Sequence, residues 1–288
     1  MHTELTEDIF ENREKILVKL KNAEAKKIIE NAKKNWVEYV PKSIESNIVG
    51  VDSSQNQLKF QGHAIWAVKA NAVDVNSDVL FEKHEYGHDA SSDIAKKFDS
   101  IPPNLEYQVA NSASPNADFV LIDGSLTSRF YMRQQKIPDK EVIETIKKCK
   151  NILYISKNST SNETFNGELA DIAYYTHATD STGFSKLRID DRFLKSFESS
   201  WKIDKISYTF VRMPGTLGCF KLELYGTEHT NDEVKSILDK IRFNCIKGYP
   251  YVLKQAHNKC VIKNRYMQRV KKMLGMSGEF GAREILEG

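Results

Sequence analysis

Ile48-Val49-Gly50-Val51-Asp52-Ser53-Ser54 and Phe119-Val120-Leu121-Ile122-Asp123-Gly124-Ser125-Leu126 are the two stretches on which the reading of this chain turns. Each is a continuous apolar run rich in β-branched residues, the pattern of a strand buried on both faces. Each reaches an aspartate and then small residues, which reads as a carboxylate delivered at a strand tip before a turn. Two such carboxylates at neighbouring strand ends predict an acidic site that holds a cation.

The elements around these strands follow from periodicity. Ile9, Ile16, Leu17, Leu20, Ala23, Ile28, Ile29 and Ala32 recur at helical spacing, predicting an amphipathic helix from about Leu5 to Tyr39 that stops before Pro41. After the first aspartate, Leu58 to Val68 and Ala72 to Val75 read as strands of an antiparallel meander. A short polar helix from Asp89 to Phe98 is expected to end at Ile101-Pro102-Pro103. A second helix then carries Leu105, Val109, Ala110 and Ala113 on one face, with Glu106 beside that face. Beyond the second aspartate come a helix (140–150), a strand (152–156), a polar loop (159–166) and a short helix (169–176). Strands over 208–212 and 219–224 flank the hairpin signal Pro214-Gly215-Thr216-Leu217-Gly218. Asn231 reads as the cap of a helix running from Asp232 to Phe243. The stretch 262–274 reads as a basic helix, with Lys263, Arg265, Arg269, Lys271 and Lys272. No linker rich in Pro, Gly and Ser divides the chain, so one α/β domain is expected: a helical arm (1–45), a core (46–262), and a basic helix and tail (263–288).

The order strand with Asp, antiparallel strands, helix with Glu, strand with Asp is the layout of a ribonuclease H-like core with a mixed central sheet. In it Asp52 and Asp123 sit at neighbouring strand ends, and the helix brings Glu106 over the same spot. Taken singly, Asp52 reads as a cap or turn residue, Asp123-Gly124 as a strand exit, and Glu106 as a solvated helix residue. Their order makes them a set. Three close carboxylates repel one another unless a divalent cation neutralises them, and hard oxygen donors suit Mg²⁺ or Mn²⁺ better than zinc. Such a site fits phosphoryl-transfer chemistry.

Composition bounds the reading without deciding it. The 288 residues are 40% hydrophobic and 28% charged, ordinary for a globular protein, and 42 basic against 39 acidic residues leave a net charge of +3. Bulk charge therefore argues neither for nor against nucleic acid, and any basic surface must be local. Cys149, Cys219, Cys245 and Cys260 show no metal-ligand spacing and read as free thiols. No stretch approaches the roughly 20 apolar residues of a membrane span. The polar, acidic N-terminus is unlike a signal peptide. A cytoplasmic protein with no membrane association is expected.

Near the C-terminus, Gly248-Tyr249-Pro250-Tyr251-Val252-Leu253-Lys254-Gln255-Ala256-His257 closely resembles the last motif of the NurA nuclease family. Other blocks resemble that family in the same order: Asp52, Glu106, Leu121-Ile122-Asp123-Gly124-Ser125-Leu126, Ile155-Ser156-Lys157 and Tyr208-Thr209-Phe210-Val211-Arg212. The resemblance runs from about Ile48 to Ile262. It implies a Mn²⁺-dependent DNA nuclease, with Mg²⁺ as the alternative metal, acting as a single-strand endonuclease and as a 5′–3′ exonuclease on single- and double-stranded DNA. It also implies a homodimer around a channel and a HerA-type hexameric translocase as partner in double-strand break resection.

Carried over by motif, Asp52, Glu106, Asp123 and His257 are the metal ligands, and Tyr249 joins them as a catalytic residue. Lys157, Arg212 and Tyr249 are the candidate DNA contacts. One departure is Asp52-Ser53-Ser54, where the family commonly has Asp-Gly-Ser; serine restricts positive φ, so the local geometry is open at this point. Two rivals are weaker. An actin-like ATPase needs a second glycine-rich phosphate turn, and Gly215 to Gly218 reads as a hairpin. A non-catalytic, nuclease-like DNA-binding or regulatory subunit of a DNA motor would be marked by loss of a carboxylate; none is lost, but intact residues do not prove turnover, so this reading stays open as the alternative.

Overall fold

The computed structural model describes residues 22–132, 140–190 and 205–276 apart from Leu217, together with residues 6, 7, 9 and 10. In chain order its main elements are α1 (Ala23–Lys34), β1 (Trp36–Glu38), β2 (Ile48–Lys59), β3 (His63–Val73), β4 (Val79–Ala90), α2 (Ile94–Ala113), β5 (Phe119–Asp123), α3 (Leu126–Met132), α4 (Lys140–Lys148) and β6 (Ile152–Ser156). They continue as α5 (Asp171–Ala178), β7 (Gly183–Ser185), β8 (Arg188–Asp190), β9 (Ile206–Arg212), β10 (Phe220–Tyr225), α6 (Asn231–Phe243), β11 (Cys245–Ile246), β12 (Tyr249–Pro250), α7 (Tyr251–Cys260) and α8 (Asn264–Met273).

Among the described residues one ten-stranded sheet runs β1-β7-β9-β10-β6-β5-β2-β3-β4, with β8 alongside β9. The central strands β2, β5 and β6 are parallel, and β2, β3 and β4 form an antiparallel meander. This is the mixed α/β, ribonuclease H-like arrangement expected from the order of elements.

The continuous apolar runs have their predicted cause. In β5, Val120 and Ile122 join the core beneath α2, whereas Leu121 packs into the core beneath α6 and α7. Residues of both parities are buried, so neither face can alternate with polar residues. In β2, Val49 and Val51 face α2 and Ile48 faces the opposite layer. Gly50, between them, lies against the first turn of α7. A Cβ there would come within 2.4 Å of the Val252 carbonyl carbon and 2.8 Å of the Leu253 nitrogen, so strand and helix meet backbone to backbone.

Several local expectations are corrected. Asp52 is not at a strand tip: β2 continues seven residues further, to Lys59, because β3 supplies a partner along its whole length. The run from Leu58 to Val68 is a hairpin rather than one strand, turning at Gly62 with φ +83°. Residues 79–90, partly assigned to a helix, form the third meander strand. Pro102 and Pro103 do not end a helix but lie inside the 20-residue α2. Ile94, Leu105, Val109 and Ala113 stay in phase on one buried face, and that burial outweighs the missing N–H groups. The N-terminal helix stops at Lys34, because the chain enters β1 to pair with β7; its expected stretch over residues 11–21 lies outside the described residues, as does the tail from 277. The cap of α6 is Thr230, whose hydroxyl accepts from the Glu233 N–H at 3.2 Å, and Asn231 is the first helical residue.

The close approach at Gly50 gives a prediction. Gly50→Ala forces a methyl into backbone atoms that cannot rotate away, and should destabilise the fold by about 1–3 kcal/mol or more. Urea unfolding measures this directly; an unchanged midpoint and slope would show that β2 and α7 are not in contact there.

Candidate active site

The site forms where β5 ends. The last parallel pair between β2 and β5 is Val51 with Ile122, so the next residues on the two strands are Asp52 and Asp123. The register thus sets two carboxylates side by side on the face covered by α7. At Gly124 the chain turns away with φ +124°, a conformation few side-chain-bearing residues tolerate. From the opposite face α2 contributes Glu106, which is buried at 4% exposure although it is charged.

Each carboxylate has its own partner. His257, on α7, places Nδ1 2.8 Å from Asp52 Oδ2. Asp52 Oδ1 also accepts the Ser53 N–H at 2.8 Å. Lys157, just beyond β6, donates to Asp123 Oδ2 at 2.8 Å and lies 4.6 Å from the centroid of the Tyr249 ring. Glu106 accepts the Ser53 hydroxyl through one oxygen and pairs with Arg129 of α3 through the other.

At position 53, where the resemblance implies glycine, these contacts give the serine a part in the site. Residue 53 lies in regular strand and is not among the residues of positive φ, and its hydroxyl orients Glu106.

α7 is fixed at both ends. Asn244 accepts the Tyr251 N–H through its main-chain oxygen at 2.7 Å and the Val252 N–H through its side chain at 2.8 Å. At the far end Ser54 accepts the Ile262 N–H at 3.1 Å, and Asn56 donates to the Ile262 carbonyl at 2.7 Å. These contacts with β2 hold His257 over Asp52.

Burial, and then the negative charges of Glu106 and Asp123, raise the Asp52 pKa from 3.8 to about 6; His257 and the Ser53 N–H pull the other way. Tyr249 responds to the same field. Burial, then the charges of Asp123 and Asp52, push its phenol far above the usual value, and its buried hydroxyl has no well-aligned acceptor. It is a neutral donor beside a carboxylate cluster.

The donor set fits a hard divalent cation. The charges of Glu106 and Asp123 both act on Asp52, which the His257 imidazole touches, and the mutual repulsion of the carboxylates is the cost that a cation would relieve. Among the described residues, the donor atoms that lie within 4.8 Å of one another are those of Asp52, His257 and Cys260. The Cys260 thiol donates to the His257 carbonyl at 3.2 Å, and burial, followed by the Asp52 and Glu106 charges, raises its pKa well above the usual range. Sulfur is a soft donor poorly matched to a hard divalent cation, so Cys260, buried at the end of α7, is assigned to packing.

Of the residues singled out in the sequence, Asp52, Glu106, Asp123, Lys157, Tyr249 and His257 come together. Arg212 does not join them. It is 2% exposed, donates to the Thr176 carbonyl at 2.6 Å and pairs with Asp180 at 3.5 Å, so it is enclosed by its own surroundings rather than held beside the carboxylates. Ser53, Arg129 and Glu223 were not singled out. Arg129 follows six residues after Asp123, but nothing in that spacing shows that it turns back on Glu106.

The NurA domain family model matches residues 46–262. The chain belongs to the NurA family. A curated relative, the DNA double-strand break repair nuclease NurA of Sulfolobus acidocaldarius, is 22% identical, the match covering 84% of this chain and 85% of the relative. The NurA nuclease of Sulfolobus solfataricus, solved by crystallography, superposes with a TM-score of 0.80 at 21% identity, covering 96% of this chain and 97% of that one. A NurA crystal structure with bound dAMP and manganese gives a TM-score of 0.69 at 14% identity, covering 94% and 97%. At these identities the superpositions establish the shared NurA fold.

The raised Asp52 pKa has a signed consequence. Its folded-state value exceeds 3.8, so its contribution to stability is full below that pH and is lost as the pH rises through about 6. At pH 8 the lost contribution has an upper bound of roughly 3 kcal/mol. In EDTA, Asp52→Asn should therefore be more stable than the parent at pH 8 and match it below pH 4. Urea titrations at the two pH values check this, and an equal difference at both would refute it.

Proposed function

We propose that this NurA-family protein is a divalent-metal-dependent DNA nuclease that processes ends at double-strand breaks. The observation that carries the reading is the adjacency of Asp52 and Asp123 through the β2–β5 register, with the charge of Glu106 acting on Asp52 and His257 bonded to it. Asp52, Glu106, Asp123 and His257 would hold Mn²⁺, with Mg²⁺ as the alternative. When bound, the cation supplies Lewis acidity toward the scissile phosphate and lowers the pKa of water.

The chain's own residues do the rest. Asp52 and Asp123 fix one side of the site through strand register, and Glu106 closes the other. Lys157 is 47% exposed, so its ammonium is free to turn from Asp123 toward a phosphate oxygen and offset its charge. Tyr249 offers a neutral hydroxyl donor beside Asp123, suited to a phosphate oxygen. His257, with its side chain 58% exposed and one ring nitrogen on Asp52, is placed as a ligand or to pass a proton to the leaving oxygen.

The curated relatives are named double-strand break repair nucleases, and a solved relative holds dAMP with manganese. These names support a DNA substrate here. The finer activities we infer are single-strand endonuclease and 5′–3′ exonuclease cleavage of single- and double-stranded DNA. We further infer a homodimer that works with a HerA-type hexameric translocase, which would drive long duplex into a confined site.

Incubation of purified protein with labelled single- and double-stranded DNA in Mn²⁺, Mg²⁺ and EDTA tests the reading. Cleavage should require a divalent ion. Asp52→Ala and Asp123→Ala should each lose more than the roughly 100-fold typical of an outer-shell change, with the fold retained. Metal-independent cleavage, or full activity in either variant, would sink the proposal. With a HerA-type ATPase and ATP, degradation of long duplex should accelerate; equal rates with and without ATP hydrolysis would remove the motor from the scheme.

A further inference from the structure

Arg129 is a cation buried among the carboxylates. It has two contacts that the site description alone does not explain. Its Nη2 pairs with Glu106 and also donates to the Asp123 main-chain carbonyl at 3.0 Å, so one side chain links α2 to the end of β5. Its guanidinium lies 5.7 Å from the centroid of the Tyr107 ring and packs on Gly124, where an added Cβ would come within 3.1 Å of Nη2.

The helix that carries Arg129 is anchored from across the sheet. Glu223 of β10 accepts the Leu126 N–H at 2.6 Å, the Thr127 hydroxyl at 2.7 Å and the Ser125 hydroxyl at 3.1 Å. Burial opposes the charge of Glu223, but Lys221, 2.6 Å away and equally buried, together with the hydroxyls outweighs it and holds the pKa below the usual value. The first turn of α3 is therefore tied to the sheet interior.

Two roles for Arg129 are distinguishable. A side chain that merely offsets negative charge must be able to leave when a cation arrives, as Lys157 can with 47% of its side chain exposed. Arg129 is 14% exposed, wedged between Tyr107 and Gly124, on a helix anchored by Glu223. A carboxylate oxygen has lone pairs for both an arginine and a metal, so Glu106 can keep Arg129 while ligating.

We propose that Arg129 is a positioning residue for the cation site: it fixes the Glu106 carboxylate relative to Asp123, and Glu223 supports it through α3. The inference rests on the metal-binding reading above and assigns a residue to it that the motif pattern does not.

The test is Mn²⁺ binding, followed by the electron paramagnetic resonance signal of free Mn²⁺, for the parent, Arg129→Gln, Arg129→Lys and Glu223→Gln, with melting temperatures recorded alongside. Arg129→Gln is expected to weaken binding by about 10- to 100-fold, the range for outer-shell partners of metal ligands. Arg129→Lys should recover only part, because an ammonium restores the charge without the planar guanidinium that packs against Tyr107 and Gly124. Glu223→Gln should weaken binding less than Arg129→Gln, and it provides the reading together with Arg129→Lys if Arg129→Gln does not fold. Folded variants at Arg129 that bind Mn²⁺ as tightly as the parent, or more tightly, overturn the inference while leaving the metal site standing. A parent protein that binds no Mn²⁺ overturns the metal reading and the inference together.

Discussion

Like charges forced together govern this structure. Strand register puts Asp52 beside Asp123, a long helix brings the charge of Glu106 to bear on Asp52, and burial denies Asp52 and Glu106 most of the solvent that would screen them. The energetic sign of that arrangement is visible at Asp52, which binds its proton more tightly than an exposed aspartate. A cluster that opposes its own ionisation persists only when the surrounding fold leaves it no other conformation, and here three independent elements supply that constraint. The same repulsion makes the site receptive to a cation, because a divalent ion removes the penalty where it is largest.

The scaffold is arranged around that cost. Each carboxylate meets a different basic side chain: His257 from α7, Lys157 from the end of β6 and Arg129 from α3. The three differ in exposure, and exposure separates their roles. His257 and Lys157 are open enough to engage a substrate, whereas Arg129 is enclosed and shapes the site from behind. A second buried pair, Lys221 with Glu223, anchors the helix that holds Arg129. Buried ion pairs of this kind contribute little net stability, since desolvation consumes most of the Coulomb gain. Their value here is geometric, because they allow one arrangement of the loop that follows Asp123.

Much of this was legible in the chain. The apolar runs ending in aspartate located β2 and β5, the phase of Leu105, Val109 and Ala113 put Glu106 on a helix, and the Gly248 to His257 block pointed to the family. The errors share a cause. The prolines at 102 and 103 and the polar residues after Asp52 are local signals for breaks, and tertiary contacts overrode both: α2 keeps its buried face, and β2 keeps a hydrogen-bonding partner in β3. Arg212 stands apart from the cluster for a different reason, since nothing local in a basic residue of a family block shows that the fold encloses it.

What the sequence determined by itself was periodicity and chemistry: which segments bury one face or two, and which residue types could serve a hard cation. These depend on neighbours within a turn of helix or a few residues of strand, and such neighbours are fixed by covalent order. What only the tertiary structure decided was adjacency. That Val51 pairs with Ile122, so that Asp52 stands beside Asp123, depends on a register between segments about 70 residues apart. That Ser53 and Arg129 share Glu106, and that Glu223 holds the helix of Arg129, depends on side chains meeting across layers, for which no spacing in the chain is diagnostic.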